Sequence, residues 1–334
     1  MKAIVLDRTN PQGISFQDVT LGPLGDHDVR IELAAAALNH RDEWCRQGKY
    51  ANLKDGVVLG SDASGIVVEA GKSVDHSWIG REVIINPALH WGESQEAQGP
   101  NFRILGMPDH GTFAEYVQVS GDRVYSKPDH LNLFEAAALP LAGLTAYRSL
   151  FYQGDLKPGQ KVLVTGIGGG VAQFALQFAL ARKAKVYVSS SSQDKLAAAK
   201  GLGAEGGFIY SDPNWVEEAK SLTGGFDLVI DSAMGNTLGN LLDVVKPGGK
   251  LVFFGATLGN PSDMNVRKIF WNQITLKGTT MGSDRDFEDM LDFVTHHHIK
   301  PIVDRVFDFD QAATAFERMQ RGAQVGKLVL KIKI

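Results

Sequence analysis

From Gln160 to Gly278 this chain of 334 residues alternates short apolar runs with longer helix-forming stretches, and that alternation limits its fold more than any other feature. Lys161–Thr165 (KVLVT), Lys185–Ser189, Phe208–Tyr210, Phe226–Asp231, Lys250–Gly255 and Ile274–Gly278 read as six strands. Val171–Arg182, Gln193–Leu202 (stopped by Gly203) and Trp215–Leu222 read as helices between them. Strands that are apolar on both faces must be covered on both faces, and helical crossovers pair strands in parallel. The expectation is an α/β fold, with a doubly wound Rossmann-type domain around a six-stranded parallel sheet.

The flanking sequence follows another pattern. Val29–Leu33, Gly65–Glu69, Glu82–Ile85 and Phe113–Val119 are short alternating or apolar runs between Gly, Pro, Asp and Asn turns. Close spacing of such strands, with no helices between them, suggests a compact β-barrel-like or sandwich domain. Asn132–Phe151, rich in Ala and Leu, reads as helix interrupted at Pro140 and Gly143. Beyond Gly282 come a helix (Arg285–Thr295), a strand (Val303–Phe309), a helix (Gln311–Arg321) and a terminal strand (Lys327–Lys333).

Composition removes several function classes. Lys and Arg total 34 against 38 Asp and Glu, a formal charge of −4, so the basic excess of a nucleic-acid-binding domain is absent. No apolar run approaches the roughly 20 residues of a membrane-spanning helix. The opening MKAIVLD is strand-like, has an early acid and offers no small-residue cleavage site, so no signal peptide and a cytoplasmic setting are expected. Cys45 is the sole cysteine, which excludes an internal disulfide and any multi-cysteine zinc site.

The strongest local signal is the turn Val164-Thr-Gly-Ile-Gly-Gly-Gly-Val-Ala172, which follows an apolar strand and opens a helix. Glycines let backbone approach a pyrophosphate, and a helix N-terminus offers unpaired N–H groups and a positive dipole end. Gly166 and Gly168 fit the strict G-x-G-x-x-G pattern, but Val171 stands at its third position; read as G-x-x-G-x-x-A, the turn uses Gly166, Gly169 and Ala172. The next strand bears on nucleotide choice. NAD sites usually place an acid about 20 residues after the first Gly to accept from the ribose hydroxyls. No acid lies between Gly166 and Gln193; Ser189–Ser192 end the strand and Lys195 follows. Hydroxyls and an ammonium suit a 2′-phosphate, which a carboxylate would repel, so NADPH is expected.

With these residues in place, the chain resembles the medium-chain dehydrogenase/reductase superfamily along essentially its whole length. The resemblance rests on LNHRD (38–42), LGSDASGIVVEAG (59–71), GTFAEYV (111–117), AAALPLAGLTAY (136–147), the glycine turn, PGGKLVFFG (247–255) and GKLVL (326–330), in that order. It is similar above all to the zinc-free quinone oxidoreductase and zinc-type alcohol dehydrogenase-like branches. The resemblance implies a GroES-like β-barrel domain (1–123 and 266–334) with a Rossmann domain (124–265) inserted, and an active cleft between them. It implies that Asn39 and Thr145 face the nicotinamide and substrate. Gly170 and Val171 would hold the pyrophosphate. The 2′-phosphate would meet Ser190 or Ser191, Lys195, Tyr210 and Arg321, while Phe254–Ala256 (with Gly255) and Met281–Gly282 would line the nicotinamide pocket. A homodimer is expected on the same ground.

The metal-ligand positions of zinc relatives correspond here to Asn39, Ser61 and the Leu141–Ala142 neighbourhood, and Pro87–His110 lacks the four cysteines of a structural lobe. An amide and a hydroxyl do not compete for zinc, so no metal is expected. The function expected is NADPH-dependent, zinc-independent hydride transfer to a small electrophilic acceptor, a quinone or an α,β-unsaturated carbonyl. A zinc-independent alcohol or aldehyde oxidoreductase, a non-enzymatic NADPH-binding protein and, least favoured, a metal-dependent enzyme remain alternatives. His296–His298 reads as a solvated helix end, Cys45 as a half-buried structural thiol, and His40 as packed or exposed rather than a proton relay. The segment Ala88–Pro108, with His90 and Trp91, reads as a loop at the substrate mouth.

Overall fold

The computed structural model describes residues Met1–Ile332. In chain order the β-rich part comprises β1 (Lys2–Leu6), β2 (Ile14–Asp18), β3 (Asp28–Ala37), α1 (His40–Arg46), β4 (Asp62–Ala70), β5 (Glu82–Ile85), β6 (Ala88–Leu89), β7 (Arg103–Ile104), β8 (Tyr116–Ser120), β9 (Val124–Ser126) and α2 (Leu133–Ala137). After α3 (Pro140–Tyr147) the alternating part runs β10 (Lys161–Val164), α4 (Gly170–Ala181), β11 (Lys185–Ser190), α5 (Gln193–Gly201), β12 (Gly206–Ile209), α6 (Trp215–Thr223), β13 (Phe226–Asp231), α7 (Leu238–Val244), β14 (Val245–Phe253), α8 (Val266–Trp271) and β15 (Thr275–Gly278). The chain then closes with α9 (Asp284–His296), β16 (Val303–Asp308), α10 (Ala312–Gln320) and β17 (Lys327–Lys331). Lys333, the expected end of the terminal strand, lies outside the described residues.

Two compact units result, Met1–Ala142 with Gly282 onward, and Gly143–Met281. The sequence places the crossings near 123 and 266; the compact units divide later. β9 pairs with β5 and α2 lies against β3 and β4, which keeps 124–142 with the first unit. β15 pairs with β14, which keeps 266–281 with the second.

The second unit is the expected parallel sheet. Its order is β12-β11-β10-β13-β14-β15, with every neighbouring pair parallel. The chain starts in the middle and winds outward in both directions, the doubly wound arrangement. Apolar side chains such as Leu163, Val229 and Leu251 are wholly buried because the central strands are covered on both faces. In the first unit, seven strands form one sheet, with β3 between β17 and β4 and also paired to β8. β3 shows how its sequence sets its packing. Val29, Ile31 and Leu33 alternate inward, and then Ala34–Ala37 allow a second layer on the other face. There Ala35 and Ala37 meet Ala137 and Ala138, small side chains that let α2 approach closely.

Three local readings are corrected. The interruption expected at Pro140 is present, since α2 ends at Ala137 and α3 opens on Pro140, a first helical position that proline fits, but Gly143 sits inside α3 without breaking it. The chain continues as one π-type turn over Arg148–Gln153, with Gly154 N–H donating to Ser149 O at 3.0 Å. Cys45 is wholly buried, not half-buried, and burial pushes its thiol up to about 12, which makes it inert. Segment 88–108 is not a structureless loop: β6 pairs with β7, and Trp91 is buried, donating Nε1–H to Ser94 O at 2.9 Å and meeting Phe102 edge-on. His90 is exposed.

α9 is held at its start by a reciprocal cap. Ser283 Oγ accepts from Asp286 N–H at 3.0 Å, and Asp286 Oδ2 accepts from Ser283 N–H at 2.9 Å; Ser283 Oγ also donates to Gln95 Oε1. Ser283→Ala is expected to cost about 1–2 kcal/mol in urea unfolding. A loss too small to measure would show that the cap does not hold the helix.

Candidate functional site

In the second unit, the turn between β10 and α4 carries the features a dinucleotide phosphate needs. Gly166 has φ of 60°, which a side chain would strain, and a Cβ there would meet nothing within 4 Å, so open space lies above it. Ile167 N–H donates to Ser189 O at 3.0 Å, and Gln173 Nε2 donates to Ile167 O at 2.6 Å, fixing the turn's underside. Gly169 is the N-cap of α4 and Gly170 and Val171 begin it, so their first-turn N–H groups have no intrahelical acceptor. Thr165 Oγ1 donates to Asp231 Oδ1 at 2.6 Å, and Asp231 Oδ2 accepts from the N–H groups of Ala233 and Met234. That buried acid holds the end of β13.

The expected 2′-phosphate residues gather at adjacent strand ends. Ser190 pairs in register with Ile209, and Tyr210 N–H donates to Ser190 O at 3.1 Å. Ser190 is buried, with Oγ accepting from Ser192 N–H; Ser191 and Tyr210 are exposed. Ser192 caps α5, its Oγ accepting from Lys195 N–H, so this serine serves the helix. Lys195 stands in the first turn of α5, half-buried. Arg321 belongs to the other unit, exposed and paired with Glu317 Oε2 at 3.3 Å. Phe254 and Gly255 follow β14 and are half-buried, with Ala256 exposed; Met281 and Gly282 are buried where the two units meet in sequence. The glycine turn, open space and hydroxyl-lined strand ends fit a nicotinamide dinucleotide. Gly166–Val171 would hold its pyrophosphate, and the group supplies hydride chemistry when bound.

In the first unit, three strand ends bring together residues far apart in sequence. Val329 pairs with Ala37, a register that sets Lys327 opposite Asn39 just beyond β3; Asp62 pairs with Ala37 from the other side. Lys327 Nζ donates to Asn39 Oδ1 at 2.6 Å and to Asp62 Oδ2 at 3.0 Å, and Asn39 Nδ2 donates to Asp62 Oδ2 at 2.9 Å. Asp62 Oδ1 accepts from Leu141 N–H at 2.8 Å. The Lys327 side chain is 4% exposed and that of Asp62 0%. Gly60 allows this turn: its φ is 93°, and a Cβ would strike the Phe113 ring at 2.3 Å. Thr145, four residues beyond Leu141 on α3, is buried in the second unit, its carbonyl accepting from Ser149 Oγ.

Around this triad lie Arg41, Asp42 and Ser61, all buried. Arg41 Nη1 donates to Ser61 Oγ at 2.6 Å and to Leu105 O at 2.8 Å. Asp42 Oδ2 accepts from Asn39 N–H, but among the described residues its Oδ1 has no hydrogen-bond partner, with Arg41 Nη1 3.6 Å away. Burial is the main cause that raises the Asp42 carboxyl to about 6, against the lowering effect of Arg41. His40 keeps solvent access, yet desolvation and then the Lys327 charge lower its pKa. Lys327 is the residue that sequence reasoning missed. Its one signal was a lysine placed within the apolar run GKLVL. A separate cavity of about 720 Å³ in this unit is lined by Lys54, His110, Arg123 and the His90 and Trp91 expected at the substrate mouth, among others, and by none of the expected catalytic or cofactor-binding residues.

The comparisons with known proteins agree with this fold. The family described as "Alcohol dehydrogenase GroES-like domain" matches residues 25–129, and "Zinc-binding dehydrogenase" matches residues 170–296. The chain is 39% identical over 330 residues to the zinc-type alcohol dehydrogenase-like protein YogA of Leptosphaeria maculans, covering 92% of this chain and 91% of that one. It is 29% identical to the crotonyl-CoA carboxylase/reductase of Cereibacter sphaeroides over 93% of this chain and 81% of that one. A crystal structure of an NAD-dependent alcohol dehydrogenase superposes with a TM-score of 0.94 at 34% identity, covering 100% of both chains.

Zinc, named in two of these descriptions, does not fit the donors present. Asn39 and Ser61 offer neither thiolate nor imidazole, Asn39 Oδ1 and Asp62 Oδ2 are already engaged by an ammonium, and Asp62 Oδ1 by Leu141 N–H. Among the described residues no group of three or more His, Cys, Asp or Glu could hold a metal ion. A GroES-like unit, a six-stranded doubly wound sheet opening on a glycine turn, and relatives matched along nearly the full chain lead to one assignment: the chain belongs to the medium-chain dehydrogenase/reductase superfamily of nicotinamide-dependent oxidoreductases.

Proposed function

We propose that this chain is an NADPH-dependent, zinc-independent reductase that directs hydride to a quinone or an α,β-unsaturated carbonyl. The observation that carries the acceptor class is the ammonium of Lys327 bonded to Asp62 and to Asn39, the latter at a position that bears a metal ligand in zinc relatives. Without a Lewis acid, an isolated carbonyl is hard to polarise and an alcohol hard to deprotonate. A conjugated acceptor needs less help because charge spreads through its π system. The crotonyl group in one relative's name is such an acceptor. In this reading Asn39 and Thr145 stand against the nicotinamide and substrate, and burial keeps water from both.

NADPH is supported by the serines that end β11 and by Lys195, with no carboxylate between Gly166 and Gln193. Lys195→Ala is expected to weaken NADPH binding roughly tenfold to a hundredfold, the worth of a charge-assisted hydrogen bond, while barely altering NADH. Equal loss for both cofactors in fluorescence titration would show that the lysine meets no phosphate. The edge strand β15, with Val266, Phe270 and Trp271 exposed just before it, supports pairing of two copies.

A second reading, a zinc-independent alcohol or aldehyde oxidoreductase, is favoured by the activity in the name of the superposed alcohol dehydrogenase. Stopped-flow NADPH oxidation against quinones, enones and aldehydes, beside benzyl alcohol oxidation, separates the two. Turnover confined to the alcohol and aldehyde would overturn the conjugated-acceptor reading.

A further inference from the structure

We propose that Lys327 is a catalytic residue, its ammonium meeting the oxygen of the acceptor as negative charge develops there. This inference rests on the reductase reading above and deepens it by naming the group that takes the place of a Lewis acid.

Lys327 Nζ has three donors. One goes to Asn39 Oδ1 and one to Asp62 Oδ2; among the described residues the third meets no protein acceptor. The ammonium is held by two fixed partners and retains one hydrogen to give. Asp62 cannot take part as a base, because Oδ1 already accepts from Leu141 N–H and Oδ2 accepts from both Asn39 and Lys327. Asn39 is likewise committed. Its carbonyl must face the ammonium and its amide the carboxylate, since a flipped amide would set donor against donor. Asn39, expected from sequence to face the nicotinamide and substrate, therefore serves to aim the cation that meets the oxyanion.

Stability accounts poorly for the arrangement. A buried ion pair contributes little net stability, and apolar replacements of similar volume are often neutral or better. A cation fixed in a nearly dry place, by contrast, acts strongly on charge that appears beside it. As hydride bonds to the β-carbon of an enone, the C=C π pair shifts toward the carbonyl and the oxygen takes up charge. The free N–H of Lys327 then donates a charge-assisted hydrogen bond to that oxygen. Water supplies the proton that completes the reduced product. The lysine remains an ammonium throughout.

The test removes the pair together, so that no charge is left buried alone: Lys327→Met with Asp62→Asn. NADPH binding by fluorescence serves as the check that the chain is folded. The expected result is a fall in kcat of roughly 100-fold to 1000-fold, the worth of one oxyanion donor, with the KM for NADPH little changed. Lys327→Arg, which keeps a cation, should recover most of the loss. A reaction series of ring-substituted cinnamaldehydes adds a readout that a structural role would not move: the dependence of kcat on substituent should steepen in the double variant. A folded double variant with kcat within about threefold of wild type overturns the inference and leaves the reductase reading intact. A wild-type chain that binds NADPH yet reduces no acceptor overturns that reading, and the inference falls with it.

Discussion

Asp62→Ala should destabilise the protein by about 3–5 kcal/mol, because it removes one partner of a buried pair and leaves the other charged. The Lys327 side chain, 4% exposed, would keep only the Asn39 carbonyl as acceptor. Asn39 Nδ2 and Leu141 N–H would each lose theirs. The desolvation cost of an unpaired ammonium outweighs the small void left by the carboxylate. Adding Lys327→Met to the same chain should restore most of the loss, since the stranded charge goes with it. Equilibrium urea unfolding of the single and double variants decides the matter. If the single variant loses under about 1 kcal/mol, water reaches the ammonium and the pair is not a buried one.

Asp42 is expected to make stability fall as pH rises through the mildly acidic range. Its folded pKa of about 6 lies above the ordinary 3.8, chiefly through burial, with one carboxylate oxygen lacking a hydrogen-bond donor. Between those two values the folded chain holds a proton that the unfolded chain has released. The stability from this group is thus complete below pH about 4 and lost as pH rises past about 6, a change of about 3 kcal/mol. Asp42→Asn lacks this titration. Measured against wild type, its stability should shift by about 3 kcal/mol in its favour between pH 4 and 7.5. A difference between the two that stays flat over that range would mean Asp42 remains ionised in the fold.

The two predictions concern one cluster whose charges balance: Arg41 and Lys327 against Asp42 and Asp62. They act differently because their partners differ. Asp62 is saturated by three donors and stays satisfied as an anion, whereas Asp42 receives one backbone N–H and a guanidinium at 3.6 Å. The same burial that suits a paired carboxylate penalises one that is half-paired.

Much of this protein follows from local rules that act over a few residues. The six parallel strands were legible because each is a short apolar run, and α4, α5 and α6 were legible between them, α5 by its stop at Gly203; α7 and α8 were not read. The phosphate turn was legible because Gly166 must adopt a positive φ that only glycine takes easily, at a strand-to-helix junction. Even there, ends shifted: β14 begins at Val245 rather than Lys250, through an irregularity beside Phe226 that no local pattern encodes.

What required the tertiary structure was any feature built by register and packing. Gly143 continues a helix and Cys45 is fully inside because neighbours distant in sequence surround them. Trp91 anchors its own segment for the same reason. The Asn39–Lys327 contact spans 288 residues and exists only because β17 returns antiparallel to β3. Composition and spacing determined the doubly wound sheet, the glycine turn and the lack of a cysteine ligand set, since those depend on which residues are neighbours along the chain. Only the folded sheet decided which charge stands beside Asn39, because a side chain's partners across strands are set by pairing and burial, and neither is written in the local sequence.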